Sequence, residues 1–290
     1  MLKSCLCTQK QLESPAFRRW ADELRTGFRM HRKLWEWCFI AQALFERGKL
    51  RPGMRGLGFA VGREPLIALF ARYGCEVVAT DLPPDDPASA GWAATGQHAG
   101  AVDELNPYGV CPPEQFRRLV SLRRVDMTAV PDDLTGFDFC WSSCAIEHVG
   151  SLDKSKLTFL DLVRCLKPGG VGVHTTEYNV SSDVETIVTG PTVLWRRRDV
   201  EHMAEELRKR CHRLAAADFD PGDGPHDRLV NEHPEIPDAR ARGLKLRASK
   251  YVATSVGLIV ERDGWLRRSL WERVTQGGAA RLRKALRLRA

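Results

Sequence analysis

The stretch from Arg55 to Asp81, RGLGFAVGREPLIALFARYGCEVVATD, constrains the fold more than any other part of the chain. It contains a complete strand, turn, helix and strand. Gly56, Gly58 and Gly62 fall in a tight turn, where side chains would block the backbone from a close approach to a ligand. The following helix begins at Glu64 and Pro65, carries its apolar stripe on Leu66, Leu69, Phe70 and Tyr73, and is stopped by Gly74. The run Cys75 to Thr80 is short, apolar and partly β-branched, as a strand buried in a parallel sheet is. It ends in Asp81, about twenty residues after the glycine turn, where a carboxylate can accept from the paired hydroxyls of a nucleotide ribose.

The same alternation returns further on. Leu122 to Val125 reads as a strand ending in Asp126, and Phe137 to Ser142 as a second one. A helix over residues 154–166 closes at Lys167-Pro168-Gly169-Gly170 before a strand from Val171 to Thr175, and another helix spans residues 199–210. This is a doubly wound α/β pattern. The apolar runs Leu214 to Phe219 and Val252 to Val260 suit a closing antiparallel pair. Before the main domain, taken as residues 51–262, lies an N-terminal helical extension over residues 1–50. It starts at the Ser14-Pro15 cap signal, breaks near Gly27 and runs to about Gly48. Its stripe of Trp20, Leu24, Phe28, Leu34, Trp35, Phe39 and Leu44 reads as core, with a lid over a ligand site as the alternative. Residues 85–122, rich in Pro, Gly and Ala, form an insertion of the kind that shapes pockets.

Charge is unevenly placed. Residues 264–290 carry eight Lys or Arg against one Glu, which equals the whole formal charge of +7, so the rest of the chain balances. An enzyme acting on nucleic acid spreads positive charge over the face that holds its site, so RNA and DNA are not expected as substrates. The opening residues MLKSCLCTQK lack the apolar run of a signal peptide, and no stretch is long and apolar enough to span a bilayer; a cytoplasmic location is expected. The nine cysteines show no CxxC pair and fall mostly in apolar runs, so they read as buried thiols.

The series GLGFAVG, ATD, VDM, FDFCWSSCAIEHVGS, LKPGG and VHTTEYN resembles, in order and spacing, the class I S-adenosylmethionine (SAM)-dependent methyltransferases of the small-molecule branch, over roughly residues 50–262. The resemblance implies a Rossmann-like, seven-stranded sheet whose last strand is antiparallel, with SAM as cofactor. It implies that Gly58 and Gly62 line the methionyl and ribose part, that Asp81 holds the ribose and Asp126 the adenine amino group, and that Met127 lies beside the ring. Ser142 joins this cofactor set. Two positions depart from the family pattern: Gly56 replaces an acidic residue and Ala60 the middle glycine, which gives Glu64 a part in gripping the cofactor. The physical chemistry agrees, because carboxylates accept from hydroxyl and amino donors and a thioether packs on an aromatic face. Asp126 alone would read equally well as a turn residue.

Glu147 and His148 follow the fourth strand of that pattern at its carboxyl end, where open α/β sheets hold their chemistry. Transfer of a methyl group to a hydroxyl or amine needs alignment of the acceptor and removal of a proton, and His148 suits the latter near neutral pH. The pair could equally cap the next segment. Glu147, His148, His174 and Glu177 together could hold a divalent ion. The metal-using relatives carry a Glu where this chain has Cys144, so no metal is expected. Tyr178 and Asn179, leaving the next strand, are the candidate acceptor contacts, with His98, Gln97 and Trp92 in the insertion behind them. The acceptor is expected to be a small polar molecule such as a sugar or glycan. An NAD-binding oxidoreductase and a silent SAM-binding module are the competing readings; the LKPGG strand and the absence of a YxxxK pair stand against the first.

The tail from Gly264 divides at Gly277-Gly278 into two amphipathic segments. Trp265, Leu266, Leu270 and Val274 oppose Arg267 and Arg273, and Leu282, Ala285 and Leu286 oppose Arg283, Lys284 and Arg287. Such a helix suits an anionic lipid interface, with about 1 kcal/mol per basic residue near the surface. A helix packed on the body with a solvated basic face shows the same pattern. Vesicle co-sedimentation separates the two: contact with the membrane requires anionic lipid, weakens with salt and disappears on deletion of residues 264–290, whereas retention of the shortened chain rules the tail out as the anchor.

Overall fold

The computed structural model describes residues 1–83, 85–86, 98–232 and 243–263. Trp92, Gln97 and the basic tail therefore lie outside the described residues. The chain begins with a short strand, β1 (Ser4–Leu6), followed by helices α1 (Pro15–Glu23) and α2 (Arg32–Glu46). Ser14 caps α1, its hydroxyl accepting from the Phe17 N–H at 3.4 Å, and His31 Nδ1 accepts from the Lys33 N–H at 3.1 Å to cap α2. Next come β2 (Arg55–Phe59), α3 (Leu66–Arg72), β3 (Glu76–Asp81), α4 (Pro113–Leu119), β4 (Val120–Arg124), β5 (Phe137–Ser143), α5 (Leu152–Leu162) and β6 (Leu166–Asn179). The last part holds α6 (Arg197–Lys209), β7 (His212–Leu214), β8 (Ala217–Asp218), β9 (Val230–Asn231), β10 (Lys245–Ala248) and β11 (Tyr251–Arg262).

The main path through the sheet is β4, β3, β2, β5, β6, β11, β1, β8. From β4 to β6 every pairing is parallel, and β11 then runs antiparallel to β6 from Ala253 opposite Asn179 to Glu261 opposite Val171. Placing β2 at the centre puts its turn, and those after β3, β4 and β5, along one edge of the sheet, the arrangement that creates a crevice at the carboxyl ends of the strands. The expectation of an α/β doubly wound architecture with an antiparallel last strand holds.

Its count of seven strands does not: the sheet has eleven among the described residues. The extra strands are short. One of them, β1, lies in the segment read as purely helical, pairing antiparallel with β11 at Cys5 opposite Gly257 and parallel with β8. Three residues are too few for periodicity to reveal. The expected closing pair is present as β7 on β11, Leu214 opposite Val260. LKPGG, expected between helix and strand, is already part of β6; Leu166 pairs with Phe137, and the register shifts before Phe139.

Helices cover both faces. On one, Trp20, Trp35 and Phe39 from α1 and α2 join Phe70, Phe139 and Trp141 in a single buried cluster. On the other, Phe159, Trp195 and Leu207 pack with Leu258 and Val260. The aromatic stripe of α1 and α2 is thus core, and it rests on a glycine: a Cβ at Gly257 would overlap the Phe39 ring. Gly257→Ala is expected to destabilise the fold by about 1–3 kcal/mol, as overpacking of a close-packed site does, measured as a lower midpoint of urea unfolding with an unchanged slope.

Candidate active site

The turn after β2 is fixed by the end of β3. Val61 N–H donates to Thr80 O at 3.1 Å, Gly62 N–H donates to Asp81 Oδ2 at 3.1 Å, and Thr80 Oγ1 donates to Gly58 O at 2.8 Å. Ala60 and Gly62 both have left-handed backbones, with φ of 48° and 52°. For Ala60 this costs about 1–2 kcal/mol that a glycine would avoid, so the loop makes a left-handed turn without the residue that favours it. The other departure also has a cause. A side chain at Gly56 would collide with the ring of Phe139, and at Gly58 a Cβ would sit 2.5 Å from the indole of Trp141. Gly58 therefore lies beneath Trp141 and does not line the cavity.

Glu64 occupies the cavity wall instead, its Oε1 accepting from Trp141 Nε1 at 2.6 Å. Burial pushes its pKa up to about 8, against the opposing effects of the indole hydrogen bond and Lys33. Beyond it the cavity, about 1220 Å³, is lined by Gly62, Asp81, Asp126 and Met127. Asp81 is raised by its burial and lowered by His98 and by the N–H groups of Leu82 and Gly62. His98 itself holds Leu82 O from Nε2 at 2.8 Å. Asp126 is both turn residue and cavity wall: Oδ1 accepts from the Thr128 N–H at 2.8 Å and Oδ2 from Thr128 Oγ1 at 2.9 Å. Ser142 is elsewhere. Strand alternation turns its hydroxyl into the sheet, 2.8 Å from His174 Nδ1, and presents Ser143 to the cavity.

The second half of the cavity is reached past Cys144, whose backbone turns at φ 49° into the short helical turn Ile146–His148. The Glu147-His148 pair separates there. His148 lines the cavity, with Nδ1 2.8 Å from Pro191 O and 3.2 Å from Thr192 Oγ1. A carbonyl only accepts, so Nδ1 carries the proton and Nε2 is the basic nitrogen. Glu147 turns inward, is wholly buried, and accepts from Thr176 Oγ1 at 3.2 Å. Its pKa is raised by that burial.

Neither Tyr178 nor Asn179 lines the cavity. Tyr178 stacks on Phe219 in the core, with ring centroids 5.8 Å apart. Asn179 Oδ1 caps the following turn by accepting from the N–H groups of Ser181 and Ser182, at 3.0 and 3.1 Å. Glu177, one residue earlier on β6, lines the cavity in their place. The proposed four-residue metal set is not assembled either: His174 is enclosed in the sheet against Cys140 and Phe159, and burial lowers its pKa to about 3.

Sequence reasoning missed the contribution of α2. Arg32 Nη1 donates to Glu177 Oε1 at 2.9 Å and to Ser255 Oγ at 3.0 Å, while Lys33 pairs with Glu36 at 2.7 Å. Glu36 also accepts from Ser255 Oγ at 2.6 Å, Cys144 Sγ at 3.0 Å and Ser143 Oγ at 3.2 Å. Burial alone would raise its pKa, but Lys33, Arg32 and the hydrogen bonds hold it down at about 2. The one available signal was a glutamate between two tryptophans on the buried side of α2.

Residues 57–173 match the family described as a methyltransferase domain. No curated protein matches the sequence. Among solved structures, a proposed sarcosine dimethylglycine methyltransferase from Galdieria sulphuraria is 15% identical, covers 81% of this chain and 85% of its own, and superposes with a TM-score of 0.51. The glycopeptide N-methyltransferase MtfA complexed with sinefungin is 14% identical over 82% of this chain and 90% of its own, with a TM-score of 0.47. A 1,6-didemethyltoxoflavin-N1-methyltransferase from Burkholderia thailandensis is 14% identical over 77% and 76%, with a TM-score of 0.44. Residues 57–173 are thus similar to a methyltransferase domain, and the chain shares the fold of the first of these structures.

Glu64 provides a test of the cavity's electrostatics. In the ligand-free protein it keeps its proton up to about pH 8, whereas an unfolded chain releases it near the ordinary value of 4.5. The folded state then binds more protons between these values, so stability falls as pH rises through them. In Glu64→Gln this loss is expected to shrink. Urea unfolding at pH 5 and pH 8 measures it, and equal pH dependence in both proteins would contradict the assignment.

Proposed function

We propose that this protein is a SAM-dependent methyltransferase acting on a hydroxyl or amine of a small polar acceptor, a sugar or glycan, with His148 as the general base. The observation that carries the reading is a single cavity in which the wall formed by Gly62, Glu64, Asp81, Asp126 and Met127 faces His148, Glu177 and the charged side of α2. The first wall fits SAM. Asp81 is already fixed by two backbone N–H groups and keeps acceptor capacity for ribose hydroxyls; Asp126 suits the adenine amino group and Met127 the ring face. When bound, SAM supplies a methyl carbon made electrophilic by the adjoining sulfonium.

The chain's own residues do the rest. Arg32, Lys33, Glu36 and Glu177 offer paired donors and acceptors to a polar molecule and would hold it in one orientation. The Pro191 carbonyl holds the His148 ring so that Nε2 can receive the acceptor's proton. A balanced charge over the catalytic region supports a small acceptor over nucleic acid. No helix among the described residues is long and apolar enough to cross a membrane; a cytoplasmic enzyme meeting anionic lipid through residues 264–290 is the reading proposed for its location.

Asp81→Ala removes charge-assisted hydrogen bonds worth about 1.5–3 kcal/mol each, so SAM affinity by calorimetry should fall at least tenfold. His148→Ala should lower kcat by about a hundredfold or more while leaving SAM affinity nearly intact. Equal loss of cofactor binding in the histidine variant would assign it a structural part instead.

A further inference from the structure

Under the acceptor half of the cavity, side chains from three places in the chain converge. Cys144 follows β5, Glu147 lies in the turn after it, and Glu177 belongs to β6. One ligand atom from each, a sulfur and two carboxylate oxygens, all lie within 4.8 Å of one another. Glu147 is 0% exposed, and its Oε1 has no hydrogen-bond partner among the described residues; the same holds for Oε2 of Glu177, which is 8% exposed. Buried acceptors without a donor are rare and unfavourable, and such groups commonly mark the place of an ion or a bound donor.

The remaining atoms of these side chains are tied down. Thr176 Oγ1 donates to Glu147 Oε2 at 3.2 Å, and Arg32 Nη1 donates to Glu177 Oε1 at 2.9 Å. Thr175 Oγ1 donates to Cys144 Sγ at 3.9 Å; the thiol's own bond to Glu36 Oε1, at 3.0 Å, is given up when it ionises, and Ser255 Oγ still donates to that oxygen at 2.6 Å. Outer partners of this kind orient metal ligands and leave the other atom of each group for the ion. Charge points the same way. Three carboxylates, Glu36, Glu147 and Glu177, meet two cations, Arg32 and Lys33. A divalent ion with Cys144 as thiolate brings the cluster to neutrality, the thiol proton leaving to solvent.

We propose that Cys144, Glu147 and Glu177 form a binding site for a divalent transition-metal ion. One sulfur and two oxygens suit an ion of borderline softness such as Zn²⁺ or Co²⁺ better than Mg²⁺, which takes oxygen alone. Cys144 and Glu177 both line the cavity beside His148, so the open coordination positions face the space where an acceptor enters. A hydroxyl bound there would be acidified by the ion next to the base. Only Glu147 and Glu177 are shared with the four-residue set considered from the sequence.

Equilibrium dialysis of the full chain against Co²⁺, without SAM or acceptor, tests the site. A single bound Co²⁺ is expected, with a thiolate-to-cobalt charge-transfer band in the near ultraviolet that Zn²⁺ removes. Cys144→Ser should abolish the band and Glu147→Gln should weaken binding at least about tenfold, while replacement of the exposed thiol, Cys211→Ser, should change neither. Absence of the band in the unaltered chain, or its persistence in Cys144→Ser, overturns the proposal. If Glu147→Gln does not fold, those two spectra still decide. Because no cofactor is present, failure here leaves the methyl-transfer reading intact, and failure to bind SAM leaves this one.

Discussion

Glu36 ties the molecule together. It is a buried carboxylate that accepts from the end of β5, from Cys144 just beyond it and from Ser255 in β11, while pairing with Lys33 on its own helix. An ionised group at such depth is costly unless each oxygen is matched, and here both are. The matching fixes α2 against the carboxyl ends of the strands. Breaking it by removing one partner would leave a charge stranded in the core, so the helix cannot slide or lift without a large penalty. A polar wall for the cavity is thereby built from a helix that also packs Trp35 and Phe39 into the core.

The two halves of the cavity are held by different physics. On the side proposed for SAM, the geometry is set by the backbone: the turn after β2 hangs from Thr80 and Asp81, and its left-handed residues are kept in place by those bonds. On the acceptor side, side chains from α2, β5, β6 and β11 hold one another through ion pairs and hydroxyls. Backbone-built sites tolerate sequence change, as Ala60 and Gly56 illustrate. Side-chain networks depend on every member.

This difference also explains what could be read from the sequence. The parallel strands and their helices were legible, and Gly62, Glu64, Asp81, Asp126 and Met127 do line the cavity, because they lie within short, ordered segments with local signals. On β6 the reading went one or two residues too far: Tyr178 and Asn179 were chosen where Glu177 reaches the cavity. In a strand a one-residue step reverses the face, and nothing local tells which face meets the ligand. Gly58 and Ser142 were misplaced for a related reason, since the ring of Trp141 and the imidazole of His174 that claim them come from neighbouring strands. Arg32, Lys33 and Glu36 lay furthest from reach. Their partners are distant in sequence, and helical periodicity shows that a face is buried without naming what it touches.

The pairing of β1 with β11 has a consequence for how the chain is made. During synthesis Ser4–Leu6 and the tryptophan-rich helices emerge long before Gly257, on which Phe39 rests, and Ser255, which Arg32 and Glu36 require. Contacts this far apart close slowly, and the apolar face of α1 and α2 stays without its seat until they do. The parallel half of the sheet, with the turn after β2, is synthesised before that moment. A nascent chain thus completes the wall proposed for SAM before the wall proposed for the acceptor.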